Sequence, residues 1–373
     1  MGRARAFALV EVVVVVGLFA VLLAACVPML REERRQVSIK ADLNSMRLIG
    51  QASAMYSSAN AGRLFTFSWE PGQVPVTPNK QLALACANLN PFNASNLLRA
   101  PTLQLLDLVT YGFKDERLPP VESVVPVNTV PHISYNNLVL SKFMGATLPS
   151  ELFVSSGDKH RKYWLNHLDK YLDDPAGSPA RPPSASTDFV DLWRYPFSSS
   201  YQVGVSHFSN DTGHTGSPPS PSTSERATNH RTWYMPNQPG ILRSRNASEV
   251  AFPSLKVTMF DEFDRYSPNE QSFFALPGAS NIMNFYDGHA ARLAIADANY
   301  GFFPNQPDRG ADTPDQPSKF YVYSPISWWD PPGAMGTAFV PVRYDQTRGG
   351  LQGIDYPGMR PNRGAAFSGV SAR

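Results

Sequence analysis

The sequence predicts an α+β protein in which one long N-terminal helix packs on an antiparallel β-sheet with large loop insertions. Three observations predict it. Residues 7–27 are apolar apart from Glu11, and helical spacing of apolar residues continues beyond them to about residue 59. NIMNFYDGHAARL, residues 281–293, reads as two short strands around an Asp-Gly turn. The 34 prolines and 25 glycines argue against further long helices after residue 60.

The helix comes first in the chain. Its apolar part is long enough to cross a bilayer. After Pro28, a kink position, Ile39, Leu43, Met46, Ile49, Ala52 and Tyr56 recur at three- and four-residue steps and draw one apolar stripe. Asn60-Ala61-Gly62 supplies a stop. One helix from about Phe7 to Ala59 is therefore expected, about 80 Å long. Its two ends do not fix an orientation. Arg3 and Arg5 precede the apolar part, and Arg31, Arg34, Arg35 and Lys40 follow it.

Glu11 is the anomaly in that segment. A carboxylate inside a hydrophobic helix costs a few kcal/mol unless it finds a partner, so it reads as functional by default. The bland alternative is that it reaches back to the interface. A cleaved secretory signal, a plain anchor, and a lipoprotein signal with Leu23-Ala24-Ala25-Cys26 as its lipobox all fit the apolar run. None of them has a use for Glu11.

RAFALVEVVVVVGLFAVLLAACVPML, residues 5–30, resembles the class III signal of type IV pilins and type II secretion pseudopilins. That signal has a basic leader, a small residue, a Phe, and a Glu four residues later. The resemblance implies cleavage by prepilin peptidase between Ala6 and Phe7 and methylation of the new amine on Phe7. The family has Gly where Ala6 stands, and Thr-Leu-Ile where Ala8-Leu9-Val10 stand. It also implies a role for Glu11 in subunit register, paired with the N-terminal amine of a neighbouring copy. Two opposite charges attract strongly where the dielectric is low, and each alone is costly there.

A narrower resemblance extends the match. SIKADLNSMRLIGQASAMYSSANAGRL is similar to the helical segment of large prepilin-like proteins of environmental bacteria, matching at Asn44, Arg47, Ile49, Gly50, Ala52, Tyr56, Asn60 and Gly62. The cysteine of that family is Ala41 here. NIMNFYDGHAARL resembles its DGH segment, here Asp287, Gly288 and His289, and FPSLKVTMFDEF resembles the strand before it. In residue terms, Leu255 to Phe260 and Ile282 to Phe285 read as strands, and the segment after Gly288 as the returning partner.

Residues 63–250 carry weaker signals. Helical periodicity appears over 84–109, and a short helix is expected around Lys162 to Leu172. Residues 173–187 and 209–231 read as polar, turn-rich loops, and few ordering signals follow Tyr356.

Composition excludes several functions. A net charge of +2 with no basic run argues against nucleic acid. Cys26 and Cys86 are the two cysteines, so no disulfide framework and no Cys/His zinc pattern exist. No Walker A, G-x-G-x-x-G or G-x-S-x-G motif is present. No cofactor is expected.

The remaining candidates read as structural. His207, His214 and His230 with Asp211 fit no metal template and read as surface-loop residues. Asp261, Glu262 and Asp264 could sit around a cation with Asp287, but a solvated turn is the expectation. Ser155-Ser156-Gly157-Asp158 gives no ordered triad. SWWDPPG, residues 327–333, could stack a sugar, and loop anchoring is preferred.

The expected organisation is a leader over residues 1–6, a membrane half-helix over 7–28, an amphipathic half-helix over 29–60, and an α+β head over 61–373. The expected function is that of a non-enzymatic structural subunit of a pilus or pseudopilus. Its partners would be prepilin peptidase, sister subunits and the inner membrane, with the head periplasmic. The alternative is a lipid- or membrane-anchored envelope binding protein, for carbohydrate as one case.

Overall fold

The computed structural model describes residues 9–113, 117, 134–145, 147–179, 192–209, 225–226, 233–234, 245–267, 271–299, 301, 320–323, 338–347 and 349–356. Helix α1 runs from Leu9 to Ala59 and continues through Pro28. Its 51 residues make it about 75 Å long. It ends where Ala61 and Gly62 turn left-handed, with φ of 54° and 78°, and the Gly62 N–H reaches back to Ser57 O at 2.8 Å. That matches the expected helix and its stop.

The stripe expected on α1 is the buried face. Ile39, Met46, Ile49, Ala52 and Tyr56 are all buried, with Leu43 packed at the margin. Helices α2 (Lys80–Ala87) and α3 (Ala94–Phe113) cover part of this core through Leu82, Cys86, Leu103, Leu106 and Val109. Asn79 caps α2 by accepting from Leu82 N. The 20-residue α3 corrects the expectation of short elements only. It passes through Pro101, and burial of Leu103, Leu105, Leu106 and Val109 outweighs the lost hydrogen bond. Three short helices follow, α4 (Ser141–Met144), α5 (Lys159–Asn166) and α6 (Leu168–Asp173). The last two divide the helix expected around Lys162 to Leu172.

The strands are β1 (Tyr201–Val203), β2 (Glu225–Arg226), β3 (Trp233–Tyr234), β4 (Val257–Asp261), β5 (Phe263–Asp264), β6 (Ser272–Phe273), β7 (Ser280–Phe285), β8 (Ala290–Ala294), β9 (Phe320–Tyr323) and β10 (Ala338–Pro341). The main sheet has the order β1-β4-β7-β8 and is antiparallel throughout. The other described strands pair as three two-stranded ladders, β2–β3, β5–β6 and β9–β10.

Both faces of the sheet are covered. Ile282 and Asn284 of β7 face α1, while Met283 and Phe285 face a second core of Phe260, Phe273, Phe274, Ile295, Tyr344 and Tyr356. On β4 the register slips between Val257 and Met259, so Met259 joins the helix-side core while Val257 and Phe260 join the other. The C-terminal segment is pinned to β4 from that second side. Buried Lys256 donates to Thr347 Oγ1 and to Asp355 Oδ2 at 2.9 Å, and Asp355 Oδ2 also accepts from Val257 N.

Candidate functional site

The two halves of α1 meet different surroundings. Between Val12 and Leu30 the described side chains are exposed on every side of the helix, Leu22 at 61% and Phe19 at 63%. This stretch is long and apolar enough to cross a membrane, by length and composition. Cys26 lies within it, exposed and in continuous helix. Glu11 lies in α1, and its side chain is outside what the structure describes. Ala6 and Phe7 are also outside the described residues.

The second half is locked to the head at two points. At the first, Gly50 faces Asn284 of β7. A methyl group on Gly50 would stand 2.7 Å from Asn284 Nδ2. That amide donates to Met46 O on the helix at 3.2 Å and to Gly288 O and His289 O in the β7–β8 turn at 3.2 and 3.1 Å. The segments 44–62 and 281–289, recognised separately in the sequence, are therefore in direct contact.

The turn between them has the expected chemistry. Gly288 adopts φ of 87°, a conformation glycine allows at no steric cost. Asp287 Oδ1 accepts from His289 N at 3.1 Å and meets His289 Nδ1 at 2.6 Å. The His289 ring stacks on Phe285 at 4.1 Å. Asp287 and His289 thus close a turn and leave α1 to be gripped by Asn284.

The second lock is a buried polar cluster. Asp42 is 1% exposed, on the same face of α1 as Ile39 and Met46. Its Oδ2 accepts from Tyr266 Oη at 2.6 Å and from Ser155 Oγ, and its Oδ1 from Ser156 N at 2.7 Å. Ser155 N donates to Ser200 Oγ, which donates to Asp158 Oδ2 at 2.8 Å. Asp158 caps α5 by accepting from Arg161 N, and pairs with Arg161 at 2.7 Å and Arg265 at 3.0 Å. Arg265 also holds Asp261 through Nε, at 3.0 and 2.9 Å. Farther along, Arg292 of β8 pairs with Asp264 at 3.2 Å.

The electrostatics follow from the count of charges. Asp158 and Asp261 share two guanidiniums, Arg161 and Arg265, while Asp42 is held by the Tyr266 and Ser155 hydroxyls and the Ser156 N–H. Burial works to raise Asp158, but Arg265 and Arg161 overcome it and hold that carboxyl well below the usual range. Burial dominates at Asp261 and pushes it up to about 7, with Asp42 adding repulsion.

Two sequence expectations are corrected here. Asp261 and Asp264 do not lie in a solvated turn. They are 1% and 2% exposed and are spent on Arg265 and Arg292. His207 is not a surface-loop residue. It is fully buried, its ring tilted against Phe65 at 4.4 Å and stacked on Tyr286 at 5.9 Å, with Nε2 2.8 Å from Phe65 O and Nδ1 2.9 Å from Tyr286 Oη. A carbonyl only accepts, so Nε2 carries the proton and Nδ1 accepts from the tyrosine. Burial lowers its pKa to about 4. His214, His230, Asp211 and SWWDPPG lie outside the described residues.

The Ser155-Ser156-Gly157-Asp158 run is likewise structural in use: Ser155 is buried and its hydroxyl is given to Asp42. The residue that sequence reasoning passed over is Asp42. Its signal was available, since a lone acid inside an apolar stripe must find partners when buried. Searches against protein-family models, curated proteins and solved structures give no match to this chain.

Proposed function

We propose that this chain is a structural subunit of a pilus or pseudopilus, made as a prepilin, held in the inner membrane by the first half of α1, and carrying its head on the periplasmic side. The observation that supports it most is the continuity of α1. A half that is apolar all round runs without a linker into a half that is locked to a sheet. A tethered lipoprotein needs the opposite arrangement, a flexible segment after its cysteine. Here Cys26 sits mid-helix with 33 helical residues after it, Val27 to Ala59. A rigid strut suits a subunit whose apolar half is buried by sister copies and whose head is carried at a fixed distance from that contact.

In this reading Glu11 sets the register against the amine of Phe7 on a neighbouring copy. The decisive measurement is mass spectrometry of the mature chain. N-methylated Phe7 is expected, and a diacylated Cys26 overturns the reading. Glu11→Val is expected to insert in the membrane normally and to enter filaments less well. Equal incorporation removes the register role.

A further inference from the structure

We propose that the head binds a neutral carbohydrate in the cleft between the end of α1, the loop 68–77 and helices α3 and α4. The cleft has a volume of about 490 Å³, within the range of small-molecule sites. Trp69 and Phe143 stand among its walls, and Asp107 of α3 and Lys142 of α4 face it. Tyr56 near the end of α1 and Asn60 just past it, opposite the apolar half, are the helix's share of the lining, so the proposal does not rest on the preceding one.

The cleft is preformed. Gln104 Oε1 accepts from Ser68 N at 2.5 Å and from Trp69 N at 3.0 Å, which fixes the indole-bearing loop on α3. Gly72 N and Cys86 Sγ tie the same loop to α2, through Cys86 O at 3.0 Å and Glu70 O at 3.3 Å. Gly72 takes φ of 78°, and a methyl group there would press on Pro91 Cδ at 3.3 Å. A site held this way loses little entropy when it binds.

Its chemistry selects against ions. Glu70 and Asp107 oppose an anion, and Lys142 opposes a cation. Asp107 is 6% exposed, and within the described residues its carboxylate accepts one hydrogen bond, from Thr77 Oγ1 to Oδ1. Lys142 has no ion pair among the described residues and lies over the Tyr111 ring at 5.5 Å. Gln73 Nε2 donates to Glu70 Oε2 at 2.6 Å, which leaves one amide proton of Gln73 and one oxygen of Glu70; a ligand rich in hydroxyls donates to the carboxylates and accepts from the ammonium and from that amide. The apolar C–H face of a sugar ring fits the indole and Val74, which is 71% exposed at the rim.

The test uses the full-length protein in a polyoxyethylene-ether detergent, since glycoside detergents would compete. Cellobiose, maltose, lactose and chitobiose are titrated by saturation-transfer NMR. Saturable binding of at least one is expected. Trp69→Ala and Asp107→Asn are each expected to weaken it about tenfold or more. Gln73→Ala, at the exposed rim, weakens it without touching the core, which covers the case of a variant that fails to fold. Glu11→Val is expected to bind as the wild type does, so loss of assembly and loss of binding are separable. The proposal is overturned if no disaccharide of the panel binds, or if binding survives both Trp69→Ala and Asp107→Asn.

Discussion

The two halves of α1 share one helix and one backbone but not one solvent. The outer half presents valine and leucine in all directions, and no part of the described head covers it. The inner half buries a single stripe and puts an aspartate in the middle of it. Apolar surface alone does not orient a helix on a sheet, because the hydrophobic effect is non-directional. The hydrogen bonds of Asp42 and the close approach at Gly50 supply direction. Between Val12 and Leu30 the described side chains make no such contacts with the head, which leaves that stretch to be read by a membrane or by other copies.

The comparison breaks most visibly at Asp158. Asp158→Ala leaves Arg161 and Arg265 buried with too little negative charge, and removal of one partner from such a group costs about 3–5 kcal/mol. The measurement is urea unfolding of the full chain in detergent, followed by near-UV circular dichroism. All six tryptophans lie beyond residue 68, so the signal reports the head. A midpoint unchanged from wild type would mean that the cluster does not hold α1 in place.

Met46→Ala sharpens it. Met46 is fully buried under the sheet. Truncation there removes methylenes and leaves a cavity, so a loss of about 2–5 kcal/mol is expected in the same assay. A loss below about 1 kcal/mol would mean that the inner half is only loosely seated.

Acid gives a graded effect, through His207. Its folded pKa is near 4, below the 6.5 of a free histidine. The neutral form is therefore favoured by folding. The associated stability is complete above about pH 6.5 and is lost as the pH falls toward 4. Over that window the loss approaches about 1.4 kcal/mol per pH unit. The check is the difference in unfolding free energy between wild type and His207→Gln, which cannot take up the proton. A difference that stays constant between pH 7 and pH 4.5 would refute a neutral buried His207.

Much of this was legible in the residues, and unevenly so. Helix length and stop were legible because apolar period, Asn60 and Gly62 are local signals. The β7–β8 hairpin was legible for the same reason, since Asp-Gly closes its own turn. Burial of His207, Asp261 and Asp264 was not. A polar side chain in a turn-rich stretch looks solvated until its partners are known. For His207 and Asp264 those partners, Phe65, Tyr286 and Arg292, are distant in sequence or sit on another strand, and for Asp261 the partner Arg265 is near but its own burial is set by distant elements. The partner of the Ser155 run was not legible for the same reason, because Asp42 lies 113 residues away.

The smallest expected effect belongs to Leu22→Ala, and it is the sharpest use of the comparison. The substitution has the same sense as Met46→Ala, a large apolar side chain cut to a methyl group in the same helix. Leu22 is 61% exposed and touches no core of the head, so its truncation opens no cavity there. Alanine also keeps the helix, being the best helix former. The head should therefore unfold within about 0.5 kcal/mol of wild type. Insertion in the membrane should persist too, because one truncation leaves the rest of the apolar half intact. What Leu22→Ala changes is packing against whatever surrounds that half. In lipid, tails refill the space at little cost. Against a fixed neighbouring helix they cannot, and incorporation into a filament falls while the head is untouched. A loss of head stability comparable with that of Met46→Ala would show instead that the outer half is folded back on the head.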